Sequence, residues 1–338
     1  MTRSHLFPTE GLVHLADIKP RSNIQVLWER RRRRHAHWFS ECAAEFFGVF
    51  FFVFGGVGSA ASYHLNPTNT EGLSSVFQVG MGYAMGVLFA FVVTAQTSGG
   101  HFNPGVSIAF VLMKRMSARK ALRYIVAQVL GAYVACLLIY AQYRDVIKET
   151  EQALAAAGTL DSVLFTPSGP AGVFAIYVAP GTNLGQVFLN EFVCDFMIGL
   201  VIWAVDDPTN FTVSPLAVPW LIAFVYALMV WSYSRVGVAT NSARDVGARL
   251  MALTVWGLDA GGGPYAAITA LTNIPATILA AVFYEAVFAD YNRTVTPANA
   301  DFLAARLAHE QHSQGLPTAD RIASASTEKV VEGTLEQV

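Results

Sequence analysis

Two short stretches decide how this sequence folds: Ser98-Gly99-Gly100-His101-Phe102-Asn103-Pro104-Gly105-Val106-Ser107 and Gly237-Val238-Ala239-Thr240-Asn241-Ser242-Ala243-Arg244-Asp245. Each reads as an extended segment feeding the start of a helix. Asparagine is a good N-cap, and Pro104 suits a first helical position because the N–H it lacks is an orphan there anyway. The apolar runs that follow, 104–113 and 242–253, are too short to cross a hydrocarbon layer of about 30 Å. Extended backbone at membrane depth is tolerated only where it is buried in protein or lines a cavity. The pattern therefore predicts two half-helices that enter a membrane and turn back.

The surroundings supply that membrane. Of 338 residues, 54% are hydrophobic and only 14% charged, and the mean hydropathy is +0.42. Six apolar stretches, 38–61, 74–95, 121–143, 184–205, 213–234 and 264–289, have the length of a spanning helix. The expected fold class is an all-α membrane protein with six transmembrane helices and two re-entrant half-helices. A basic segment, 1–37, precedes the membrane domain, 38–289, and a polar tail, 290–338, follows it and reads as disordered. No cleavable leader is expected, because the first 37 residues lack an apolar core. Cys42, Cys136 and Cys194 fall in apolar stretches and read as small buried hydrophobes, not as metal ligands or a disulfide framework. A net charge of −2 gives no field for nucleic acid.

Lys and Arg fix the expected orientation. Seventeen of the 22 lie before the first span, between spans two and three, or after the last, and five lie on the opposite side. By the positive-inside rule both termini are cytoplasmic, and the run from Arg30 to Arg34 is also suited to anionic lipid heads. The sequence repeats as well: Ala44-Glu45-Phe46-Phe47 opens span one and Asn190-Glu191-Phe192-Val193 opens span four. With three spans per half, the second copy is inverted, and the working site is expected near the midplane between halves.

Over 38–289 these features resemble the aquaporin family, whose two Asn-Pro-Ala boxes correspond to Asn103-Pro104-Gly105 and Asn241-Ser242-Ala243. Arg244-Asp245, with Arg249 beyond, is similar to the aquaglyceroporin branch. Two departures stand out: Gly105 replaces alanine, and Ser242 replaces proline. The resemblance implies that Asn103 and Asn241 offer amide N–H groups at the pore centre. The carbonyls of Gly99, Gly100, His101, Gly237, Val238 and Ala239 would form an acceptor track. Arg244 would make the outer selectivity filter with Tyr83, Met229 and Val238, placed by gap-free counting; Tyr83 also suits plain packing, and Met229 depends on that count. Glu45 and Glu191 would brace the half-helices. Asp195, one turn beyond Glu191, is expected to be protonated or hydrogen-bonded, since like charges at that spacing repel. The outer loop, 144–183, is expected to fold over the pore mouth, with Phe174 nearest to it.

The function so implied is a passive channel for glycerol, other small neutral solutes and water that excludes ions and protons. It would be a homotetramer set among membrane lipid, in the plasma membrane, with no cofactor and no metal. Alternatives are a water-selective or gated aquaporin, a secondary transporter, and a non-conducting adhesion protein. No nucleophile–base set suggests an enzyme.

Overall fold

The computed structural model describes residues 12–19, 21–65 and 75–313. The described residues divide into two compact units, one containing residues 38–206 and 216–290, the other residues 1–37, 207–215 and 291–338. In the larger unit, α1 is His37–His64, and α2 is Val76–Ala90, continued by a π-turn over Phe91–Ala95 and a last turn, Gln96–Ser98. The first half-helix, α3, is Pro104–Leu112, and α4 is Ala118–Ala156. The inverted copy follows as α5 (Leu184–Asp206), α6 (Val218–Tyr233), the second half-helix α7 (Ser242–Trp256), and α8 and α9 (Gly263–Leu271 and Asn273–Val287). Among the described residues five helices are long and apolar enough to cross a membrane. The stretch expected over 213–234 is the shorter α6, whose 16 residues a 3-10 turn, Ser234–Val236, prolongs.

Small residues let these helices approach closely, as interfaces in lipid require. A Cβ on Gly55 of α1 would lie 2.6 Å from the Gly82 carbonyl of α2. The break between α8 and α9 also has a local cause. Pro275 has no N–H for the Leu271 carbonyl, so the ladder is interrupted where the two helices meet.

Two expectations are corrected. The third span does not stop near residue 143; it continues to Ala156, a helix of 39 residues or about 58 Å, nearly twice the hydrocarbon layer. Residues 144–156 contain no glycine or proline and are rich in Ala, Glu, Gln and Lys, so nothing halts the helix. The outer loop is correspondingly shorter. Phe174 is fully buried, against Tyr140 and Trp256, instead of standing at a pore mouth. It is Ile176, Tyr177 and Val178 that reach the second half-helix segment.

The smaller unit contains a helix over Asn23–His35, begun by a Ser22–Gln25 capping box, and another over Pro297–Ser313. The latter lies where disorder was expected. Thr296 caps it, since its Oγ1 accepts from the Asn299 N–H at 3.4 Å. Proline at the first position and the alanines that follow favour a helix that composition averaged over the whole tail concealed. Asn299 Nδ2 donates to the Pro208 carbonyl at 3.1 Å within the same unit. The parts of the tail and of the N-terminal segment beyond 313 and before 12, on which the disorder expectation and the first residues of the basic segment fall, lie outside the described residues, as do residues 66–74.

Candidate functional site

Both half-helices start as the sequence dictates. Asn103 and Asn241 are extended N-caps, with φ of −151° and −159°. Asn103 Oδ1 accepts from the Gly105 N–H at 2.8 Å, and Asn241 Oδ1 from Ala243 and Arg244 at 2.9 and 3.2 Å. Immediately before each asparagine the chain does something the sequence does not announce. Phe102 and Thr240 adopt left-handed backbone, with φ of 51° and 57°. For side-chain-bearing residues, and a β-branched one above all, this conformation costs about 1–3 kcal/mol and persists only when its surroundings impose it.

The surroundings are two fully buried acids. Glu45 accepts from the N–H groups of His101 and Phe102 at 3.0 and 2.8 Å. Glu191 accepts from Ala239 at 2.8 Å and from Thr240 at 2.7 Å. Each acid thus clamps the two residues before an asparagine. With their N–H groups turned outward to the acid, the carbonyls of Phe102 and Thr240 face the opposite half. Asn241 Nδ2 donates to the Phe102 carbonyl at 2.7 Å, and Asn103 Nδ2 to the Thr240 carbonyl at 3.3 Å. The two half-helix heads are therefore cross-linked by a reciprocal pair of bonds, with both helix N-termini converging on one region. Gln128 adds a donor to Glu45 at 2.7 Å in the first half.

The departures at Gly105 and Ser242 have one physical explanation. Behind the heads, α9 presents Asn273, whose Nδ2 donates to Asp195 Oδ1 at 3.1 Å and to the Thr240 carbonyl at 3.2 Å. A Cβ on Gly105 would lie 2.7 Å from Asn273 Oδ1 and 2.9 Å from both the Asn273 carbonyl and Thr277 Oγ1. Ser242 Oγ in turn donates to Asn273 Oδ1 at 3.5 Å. An asparagine at this place thus requires glycine in the first box and gains a hydroxyl partner from the second. Asp195 is fully buried, and its Oδ2 has no partner. Sequence reasoning singled out Asp195 but passed over Asn273, which looks like any polar residue in a span.

At the other end of the junction, Arg244 is 3% exposed and donates through Nε and Nη2 to the Tyr83 hydroxyl at 3.2 and 2.8 Å. Its Nη1 is buried and has no partner among the described residues. Met229 and Val238 are likewise buried. Of the expected carbonyls, that of Gly237 accepts from Asn190 Nδ2 at 3.0 Å, and that of Ala239 from the neighbouring Thr240 hydroxyl at 2.7 Å. Gly99 and Gly100 supply the positive φ, 96° and 74°, that turns the chain out of α2. The His101 ring lies 3.1 Å from Ser107 Oγ and packs on Phe110 and Tyr124. It also lines a cavity of about 30 Å³ with Phe52, Phe91, Phe102, Tyr226 and Asn241.

Asp245 and Arg249 point away from this path. Arg249 Nη2 bonds Asp245 Oδ1 at 2.8 Å and the Ile176 carbonyl at 2.9 Å, which ties the outer loop to α7. Its guanidinium also lies over Tyr177, whose hydroxyl donates to the Ala260 carbonyl at 2.9 Å. Burial pushes that hydroxyl up to about 12, with Arg249 opposing the rise.

Two inverted halves, each with a half-helix braced by a buried acid and joined head to head, define a membrane channel of the aquaporin class. The chain belongs to the major intrinsic protein family, whose model matches residues 32–259. It is 50% identical over 304 residues to an aquaporin of Laccaria bicolor, covering 89% of this chain and 92% of that one. It is 34% identical over 272 residues to the glycerol uptake facilitator protein of Pseudomonas aeruginosa, covering 78% and 94%. The aquaglyceroporin from Plasmodium falciparum shares its fold, with a TM-score of 0.63 and 25% identity, over 74% of this chain and 96% of that chain.

Proposed function

We propose that residues 38–289 form a passive pore for glycerol, other small neutral solutes and water, and that it excludes ions and protons. The observation that carries this reading is the free Nη1 of Arg244. A buried donor without a partner is costly, so such a group calls for a passing acceptor. Around it, Tyr83 contributes one hydroxyl while Met229 and Val238 contribute apolar wall. A polyol has the same two-sided character, with hydroxyls along one edge and carbon along the other. The fixed charge of Arg244 and the two converging helix N-termini oppose cations and hydronium. Asn103, Asn241 and the carbonyls of the two extended stretches supply the path between. The named functions of the bacterial relatives agree with a glycerol substrate.

In this reading both termini are cytoplasmic, the membrane is the plasma membrane, and four copies assemble with apolar faces toward lipid and one another. A second reading, a water-selective or gated pore, is favoured by the two hydrogen bonds with which Arg244 reaches across to Tyr83. Stopped-flow light scattering on proteoliposomes separates them. A glycerol gradient should cause rapid shrinkage and then re-swelling at a rate well above that of empty vesicles. Shrinkage without re-swelling would leave the water-selective reading, and neither would refute conduction.

A further inference from the structure

Tyr226 stands in the middle of α6, and its hydroxyl reaches the head of the first half-helix. Asn103 Nδ2 donates to Tyr226 Oη at 3.2 Å. An amide nitrogen has two hydrogens, and the Thr240 carbonyl takes the other at 3.3 Å. Asn103 is therefore saturated by the protein itself. Asn241 is not, because among the described residues its Nδ2 donates only to the Phe102 carbonyl. The two asparagines, alike in sequence, differ by one free donor, and the difference is the Tyr226 hydroxyl.

The ring is placed as deliberately as the oxygen. Its centroid lies 5.3 Å from that of Phe52, which lies 5.2 Å from that of Tyr83, the tyrosine bound by Arg244. A column of three aromatic rings thus runs from the filter to the asparagines. Beyond the column Tyr226 lines the cavity that also touches Asn241 and His101. The ring column links Arg244, through Tyr83 and Phe52, to Tyr226 and that cavity. The Tyr226 hydroxyl accepts from Asn103 and has no acceptor for its own hydrogen among the described residues.

We propose that Tyr226 is a specificity-determining residue at the pore centre: its hydroxyl is a displaceable occupant of the Asn103 donor, and its ring sets the width there. The inference rests on the conducting reading above. A solute oxygen entering between the two groups accepts the Asn103 N–H in place of Tyr226. Water and polyols bring such an oxygen. An apolar neutral solute of equal size brings none, and would separate Asn103 from Tyr226 without replacing the bond, so the centre selects for hydroxyl groups.

The test compares wild type, Tyr226→Phe and Tyr226→Val in proteoliposomes, with rates normalised to the protein incorporated. Tyr226→Phe keeps the ring and removes the competing oxygen. Water and glycerol permeability should each rise roughly fivefold, the worth of one neutral hydrogen bond. Tyr226→Val should admit a five-carbon polyol that wild type and Tyr226→Phe exclude. Rates for Tyr226→Phe within twofold of wild type, or below it, overturn the role of the hydroxyl. An unchanged size limit in Tyr226→Val overturns the role of the ring. Should Tyr226→Val fail to assemble, Tyr226→Leu, which also removes the ring but fills more of its space, gives the same readout. A wild type that conducts neither solute would instead defeat the conducting reading itself.

Discussion

Glu191→Gln tests whether the buried acids hold the pore centre in shape. The side chain is fully buried, and both its oxygens act as acceptors, for Ala239 and Thr240. Glutamine has the same shape but only one acceptor oxygen, and it points an NH2 group at the second N–H. One hydrogen bond is lost, worth ~1 kcal/mol, and one buried N–H is left unsatisfied, costing about 1–3 kcal/mol more. Thr240, with its φ of 57°, is held by the same contacts, and release of its left-handed backbone returns about 1 kcal/mol. The net destabilisation should be about 1–3 kcal/mol, read from reversible unfolding in mixed detergent micelles. Freed from the clamp, the Thr240 carbonyl no longer faces Asn103 and Asn273, so water permeability should fall alongside stability. Thr240→Gly in the otherwise wild-type chain, where the clamp still imposes the left-handed turn, should remove about 1 kcal/mol of strain. A Glu191→Gln protein with stability within ~0.5 kcal/mol of wild type, well below the loss expected for an unsatisfied buried N–H, would refute the clamp.

Restoring the family residues in the two boxes should have opposite effects. Gly105→Ala gains helix preference but forces a methyl against the Asn273 carbonyl, so overpacking of about 1–3 kcal/mol should leave it less stable in the same unfolding assay. Ser242→Pro meets an extended Asn241 and a first helical position, so it should be neutral or stabilising by about 0.5–1 kcal/mol, although it gives up the long bond to Asn273. Arg249→Lys loses the fork that joins Asp245, the Ile176 carbonyl and the Gly261 carbonyl. Its signature should be faster amide exchange over 174–178 and 257–262, with glycerol permeability changed less than twofold.

The departures in the two boxes share one neighbour, Asn273. Ser242 and Asp195 are far from Asn273 in sequence yet both hydrogen-bond it, and a Cβ on the still more distant Gly105 would meet it. A buried polar residue in α9 demands space from the first box and a partner from the second, and an acid on α5 supplies the rest. Buried polar networks of this kind are tolerated when their members are satisfied, which leaves the lone Asp195 Oδ2 as the one loose end among them.

What the sequence by itself determined was whatever depends on local chemistry and spacing. Asparagine followed by a short apolar run fixed both half-helix starts, apolar length located the spans though not the end of the third or the break in the last, and the repeated Ala-Glu-Phe and Asn-Glu-Phe openings revealed the inverted copy. From the repeat the sequence placed Glu45 and Glu191, and from the resemblance of its second box to the aquaporin pattern it placed Arg244. It could also have revealed the helix over Pro297–Ser313, where a proline start and an alanine run were outweighed by average composition. Only the tertiary structure decided the rest, because a hydrogen bond between distant elements leaves no periodic trace. The left-handed turns at Phe102 and Thr240 are imposed by acids 57 and 49 residues away. The partner of Asn103, Tyr226, lies 123 residues along the chain, in a span whose apolar pattern makes a tyrosine look like core. Spacing says which groups stand at the centre; packing alone says which of their donors remain free.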